Sequence, residues 1–130
     1  MIQDPSFIID LLRGDDEAES FLEVLERDAR PQRVSTISVL ELYQGLHRPP
    51  VADSKAQQIL TVLDSKSVIS ADHEIMRKAG KISGELISAG EQIDREDCII
   101  AATALLRDEV VVTRDTDHFE RVSGLEVRSY

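Results

Sequence analysis

Cysteine is almost missing from this chain: Cys98 stands alone, so neither an internal disulfide nor a thiolate zinc site can form, and a secreted disulfide-stapled framework is excluded. Long apolar runs are missing too. The longest stretches, residues 7–12 and 99–106, fall well short of the roughly 20 residues that a bilayer-spanning helix needs, and neither is flanked by processing signals. No membrane partner is expected, and a reducing cytoplasm is the expected compartment. Repeats and low-complexity linkers are absent. At 130 residues and 42% hydrophobic content the chain suits one adequate core, so residues 1–130 are read as a single domain. Positive charge is scarce as well, with 15 Lys and Arg against 25 Asp and Glu and a net charge of −10. Such a surface repels polyanions at long range and by itself argues against a nucleic-acid partner. Two accounts reconcile it with one: acids clustered around bound cations, or a surface suited to a salty host, where salt also screens the repulsion. Eleven arginines against four lysines and an acidic stretch at 14–19 fit the second.

What is present is an alternation of short apolar runs with longer segments of 3.6 period, the pattern of an α/β domain with a mainly parallel sheet. Strands are expected at 1–3, 34–37, 67–69, 110–113 and 125–128. Helices are expected at 6–13, 17–27, 38–46, 52–63, 72–89 and 95–106, with a helical turn at 117–122. Gly14 and Gly90 are stop signals, and the Pro49-Pro50 pair breaks the chain before the fourth helix. Ala18, Phe21, Leu22 and Leu25 share one face of the second helix. The helix at 95–106 is apolar nearly all round and is expected to be central.

On this map Asp4, Glu41, Asp97 and Asp115 fall at the ends of strands or in the first turns of the helices that follow, with Asp117 close behind. In open α/β sheets ligands bind beyond the carboxyl ends of the strands, so acids arriving there from distant positions are candidates to converge. Convergent carboxylates repel one another unless a cation sits among them, and oxygen ligands suit Mg²⁺ or Mn²⁺ better than zinc. Each acid also has a plainer reading. Ser38-Val39-Leu40-Glu41 has the form of a capping box in which Glu41 satisfies the amide of Ser38, and Asp94 to Asp97 has the same spacing. Asp115 lies in a turn-like Thr-Arg-Asp-Thr-Asp segment. Asp4 resists a capping role, because Ser6 is a good helix cap by itself.

These residues also carry a resemblance. Asp4-Pro5-Ser6-Phe7-Ile8-Ile9-Asp10-Leu11-Leu12 resembles the start of the PIN-domain ribonucleases of the VapC toxin family, where a catalytic Asp precedes an apolar helix. The segment from Ser35 to Leu42, with Gly45 beyond Glu41, is similar to the second motif. The segment GEQIDREDCIIAATAL at 90–105 is the most specific match. Val112-Thr113-Arg114-Asp115-Thr116-Asp117-His118-Phe119 resembles the last motif, and 122–127 the closing segment. Two departures stand out: Pro5 replaces the usual Thr, and Gln3 interrupts an apolar strand, which is expected to weaken its pairing.

The resemblance implies a PIN-like three-layer α/β/α fold with a mainly parallel sheet of four to five strands. It implies that Asp4, Glu41, Asp97 and Asp115 are the catalytic acids and bind one or two Mg²⁺ or Mn²⁺, with Asp117 assisting and Ser6 and Thr113 orienting the carboxylates. Such a site hydrolyses phosphodiester bonds, here of RNA, without a general-base His. His118 is read as a packing or solvent residue, His47 and His73 as surface residues, and Cys98 as core. The expected partners are an RNA substrate, a second copy of the chain and a VapB-type antitoxin that presents an Arg or Lys to the acids. Leu46, Ile59 and Val62 are expected on exposed helix faces as docking surface. An inactive PIN-fold binding module and a housekeeping RNA-processing nuclease are the alternatives. The intact quartet argues against the first, and the lack of an added RNA-binding domain against the second. A receiver-like phosphoacceptor domain would want a Lys near the last strand, and the TRDTDHF segment has none.

Overall fold

Short strands suffice where the middle of a sheet is covered on both faces, as Ile2, Gln3, Val111 and Val112 are here, while Ser67 and Val68 at one edge stay exposed. The computed structural model describes residues 1–47 and 53–130. Its strands are β1 (Ile2–Gln3), β2 (Arg33–Ser35), β3 (Ser67–Ile69), β4 (Val111–Val112) and β5 (Val127–Arg128). They are ordered β3-β2-β1-β4-β5, and every pairing is parallel. Ile2 stands beside Arg33 on one side and Val111 on the other. The helices are α1 (Pro5–Leu12), α2 (Asp16–Arg27), α3 (Thr36–Leu46), α4 (Asp53–Asp64), α5 (His73–Ser88), α6 (Arg95–Arg107) and α7 (Thr116–Glu120). The expected break at Pro49-Pro50 and the helix start at Ala52 lie outside the described residues.

Successive strand residues point to opposite faces, and this alternation sorts the core into layers. Val111 joins Ile2, Ile75, Ile82, Ile100 and Phe119 on the α5–α6 side. Val112 joins Met1, Phe7, Ala18 and Leu25 on the α1–α2 side, and Val34 joins Ile8, Leu42, Ile59 and Leu63. Phe7 is fully buried and meets Phe21 and Tyr130 edge-on at 5.9 and 4.9 Å between ring centres. Helix α6 has seven buried residues, from Cys98 to Ala104, so it is the central helix expected from its apolar circumference. Among the described residues no helix is long and apolar enough to cross a membrane.

The boundaries differ from expectation at two places that matter for the site. Helix α1 starts at Pro5 with Asp4 as its N-cap, accepting from the Ser6 amide; proline's fixed φ and missing N–H suit the first helical position, so Ser6 is not the cap. Strand β2 ends at Ser35, whose hydroxyl accepts from the Ile37 amide and caps α3. The capping box at Ser38 therefore does not form. Gly14 and Gly90 do end their helices, with φ of 72° and 71°, a region open to glycine at little cost.

The remaining expectations fare differently. Gln3 keeps its register with Val112 in the middle strand β1 and its buried amide donates to Gln32 Oε1 at 3.0 Å, but its own Oε1 is buried without a partner. Leu46, Ile59 and Val62 are not a free surface. Ile59 is a core residue and Leu46 and Val62 pack against the same cluster, because α4 lies on α3 and α1, turning its own Ile59 and Val62 inward and covering Leu46. The exposed large apolar residues are instead Leu40 and Tyr43 on α3, Met76 and Ile87 on α5, and a few scattered others.

Candidate metal centre

Asp4 follows β1 directly, its amide donating to the Val112 carbonyl at 2.9 Å. The residue is only 7% exposed. Three donors converge on one carboxylate oxygen, Oδ2: the Ser6 hydroxyl at 2.6 Å, the Thr113 hydroxyl at 3.0 Å and the Ser6 amide at 3.3 Å. Ser6 and Thr113 thus both touch the Asp4 carboxylate. Burial raises the Asp4 pKa above the usual carboxylate value, against the lowering effect of these hydrogen bonds, and Asp115 raises it further.

Glu41 reaches the same region from the second turn of α3. With Ser35 as the cap, Glu41 has no amide to satisfy, and its Oε1 is buried with no hydrogen-bond partner, as is the Ser38 hydroxyl one turn earlier on the same face. A buried acceptor left unpaired is costly and marks a place where a further group fits. Burial first, then the charges of Asp4 and Asp97, push the Glu41 carboxyl up to about 7. Asp97, in the first turn of α6, is pushed up to about 6, again by burial first and then by Asp4. Asp4, Glu41 and Asp97 therefore lie close enough to resist one another's ionisation.

Asp115 is more open, with its side chain 46% exposed, and it meets the site through His118, whose Nδ1 lies 2.9 Å from Asp115 Oδ2 and 3.2 Å from Asp97 Oδ2. The reading of His118 as a packing or solvent residue is thereby corrected. Helix α7 packs on α6 and carries His118 to the acids, a contact between elements that neighbouring residues in the chain do not reveal. Asp94 was also missed as a site residue. It occupies the N-cap position of α6 but makes no side-chain capping bond, and ligand atoms of Asp94, Asp97 and His118 lie within 4.8 Å of one another. The only signal in the sequence was the three-residue spacing of Asp94 and Asp97 at a helix start. Asp117 is not brought in: its side chain is 80% exposed and pairs with Arg121 at 3.1 Å. Cys98 is a buried free thiol whose pKa burial pushes up, an inert core residue.

A donor set of carboxylate oxygens with one imidazole at its edge suits a hard divalent cation such as Mg²⁺ or Mn²⁺. The unpaired Glu41 Oε1 and the mutual repulsion of the acids are what a bound cation would relieve.

Carboxylates delivered by three helices to the open ends of the central parallel strands define an acid-cluster α/β protein. The chain belongs to the PIN domain family, whose model matches residues 1–125. Ribonuclease VapC1 of Methanocaldococcus jannaschii is 27% identical over 100 residues, covering 76% of this chain and 70% of that protein. The tRNA(fMet)-specific endonuclease VapC of Shigella flexneri is 27% identical over 97 residues, 75% of this chain and 74% of the relative. In fold, the chain superposes with a TM-score of 0.89 on a crystal structure of VapBC2 from Rickettsia felis bound to a promoter DNA fragment, at 19% identity, over 99% of this chain and 97% of the other.

Proposed function

We propose that this protein is a divalent-metal-dependent endoribonuclease and the toxin of a VapBC-type toxin–antitoxin pair, its 130 residues working as one PIN domain in the cytoplasm. The observation that carries the reading is the buried, unpartnered Glu41 carboxylate oxygen among Asp4 and Asp97, in a chain of the PIN family with VapC ribonucleases among its relatives.

Asp4, Glu41 and Asp97 would hold Mg²⁺ or Mn²⁺, with Asp115 at the open side. A cation so held lowers the pKa of bound water and offsets charge developing on the attacked phosphate. Ser6 and Thr113 keep the Asp4 carboxylate in one orientation, and both are held by the 113–115 segment. His118 holds the Asp97 and Asp115 carboxylates relative to each other. Cations at the acids also answer the repulsion of RNA by a chain of net charge −10.

A partner that silences such a site is expected to place an Arg or Lys among the acids, since a guanidinium fork pairs with carboxylates left without metal. The exposed Leu40 and Tyr43 on α3 and Met76 and Ile87 on α5 are the apolar positions open to a second copy of the chain or to that partner. The test is cleavage of RNA by the purified chain with EDTA, Mg²⁺ or Mn²⁺. Cleavage that appears only with the metal ions, and growth arrest relieved by co-expressing the antitoxin, are the expected results. Chelator-insensitive cleavage, or none under any condition, would overturn the reading.

A further inference from the structure

Arg114 lies between Thr113 and Asp115, so an arginine sits in the segment that lines the acids. Two roles are open to it: a contact to an RNA phosphate, or support of the segment itself. Its surroundings decide. Arg114 Nε is 2.9 Å from Asp10 Oδ2 and its terminal nitrogen 3.1 Å from Asp15 Oδ2. Its guanidinium carbon stands 5.5 Å from the centre of the Tyr130 ring. Asp10 is 8% exposed and also accepts from the Tyr130 hydroxyl at 2.5 Å. Burial first, then the hydrogen bond to Asp10, hold the Tyr130 phenol well above its usual pKa, so it remains a donor. Two carboxylates thus already neutralise this cation, which leaves it poorly suited to attract a phosphate.

The backbone beside it has a definite task. The Arg114 amide donates to the Ser6 hydroxyl oxygen at 3.2 Å, and the Asp115 amide donates to the Thr113 hydroxyl oxygen at 3.0 Å. A hydroxyl has one proton. With their oxygens accepting from these two amides, Ser6 and Thr113 both turn that proton toward Asp4 Oδ2. Ser6 and Asp10 are one turn apart on α1, so the segment is fastened to one helix face twice, by backbone at Ser6 and by side chain at Asp10.

We propose that Arg114 is a positioning residue: clamped by Asp10, Asp15 and Tyr130, it holds two consecutive amides so that the Ser6 and Thr113 protons fix the Asp4 carboxylate for its cation. The proposal rests on the metal-dependent reading above. It is tested in the full chain with Arg114→Gln and with Tyr130→Phe, which removes only one hydroxyl. Mn²⁺ affinity is measured by calorimetry, and kcat, KM and their salt dependence on RNA, all at temperatures where circular dichroism shows the native fold. Arg114→Gln is expected to weaken Mn²⁺ binding by up to about tenfold, the lower end of the effect of losing a group bonded to a metal ligand, because Arg114 acts one contact further out, through Ser6 and Thr113. KM should stay within roughly twofold and its salt dependence unchanged. Tyr130→Phe should show the same pattern, smaller, and decides alone if Arg114→Gln does not fold. Unaltered Mn²⁺ affinity in the folded variants would overturn the proposal. So would a raised KM with a salt slope reduced by about one, the mark of a lost phosphate contact. Wild-type protein that binds Mn²⁺ without cleaving RNA would remove the ribonuclease reading and leave this one standing.

Discussion

The acids around Asp4 and the acids around Asp10 share helix α1 and the 113–115 segment, but their charges are managed in opposite ways. Asp10 and Asp15 have a guanidinium between them and a phenol hydrogen bond on Asp10. Asp4, Glu41 and Asp97 have no Lys or Arg paired with them among the described residues, and burial raises all three carboxyl pKa values, helped by Asp115 at Asp4, by Asp4 and Asp97 at Glu41 and by Asp4 at Asp97. A neutralised cluster adds to the stability of the folded chain. An unbalanced one strains it and is kept for what it binds, the trade between stability and function met at many active sites.

The contrast should break most sharply under Asp4→Asn and Asp97→Asn. Each removes a ligand of the proposed cation site, so RNA cleavage in Mg²⁺ or Mn²⁺ should fall by roughly a hundredfold or more, while melting temperature without metal stays level or rises as repulsion is relieved. Cleavage at wild-type rates by either variant would count against the site. Asp10→Ala attacks the balanced cluster and should instead lower the stability of the metal-free chain, with an effect on Mn²⁺ binding no larger than that of Arg114→Gln. It leaves Arg114 and the Tyr130 hydroxyl without their buried partner, a loss of about 1–3 kcal/mol readable by urea unfolding without metal, where Glu41→Gln should cost nothing.

Titration sharpens the same difference. Glu41 moves from 4.5 to about 7 on folding and Asp97 from 3.8 to about 6. At pH below both unfolded values each group is protonated whether the chain is folded or not, and neither favours unfolding. As pH rises toward 7 the unfolded chain ionises first, so metal-free stability should decline across that window and level off above it. Thermal melts from pH 4.5 to 8 with EDTA test this, and Mn²⁺ should restore most at the upper end. A metal-free protein whose stability climbs through this range would show that the repulsion is not the controlling term. The smallest effect belongs to Asp117→Ala: its pair with Arg121 is exposed and worth at most about 0.5 kcal/mol, and cleavage should be unchanged. A tenfold loss of activity would bring Asp117 back into the site.

How much of this was legible follows from the range of each interaction. The strands at 1–3 and 67–69, the all-round apolar helix at 95–106 and the stops at Gly14 and Gly90 are written in periodicity and in local backbone preference, and they were readable. The pairing of Asp4 with Pro5 as cap and first helical residue was equally local, but Ser6 offered a competing cap and obscured it. The two roles of Asp4 are compatible, since the cap bond and both hydroxyls fall on Oδ2. Leu46, Ile59 and Val62 were misplaced because exposure of an apolar helix face depends on which neighbour covers it, and the covering contact joins different helices.

The amino-acid order by itself determined the alternation of strands and helices, and it put an acid within the first two turns of the helices that follow the strands at 2–3, 33–35 and 111–112, or at their caps. Those outcomes depend on residues within a turn or two of one another. The tertiary structure decided which acids meet. Glu41 became a buried, unpartnered carboxylate only when Ser35 capped α3 and α6 brought Asp97 beside it. His118 reached Asp97 only through the packing of α7 on α6. Arg114 and Tyr130 met Asp10 only because the central position of β1 brings the end of the chain back over α1. Electrostatic coupling depends on distance through space, and that distance exists only once the sheet has assembled.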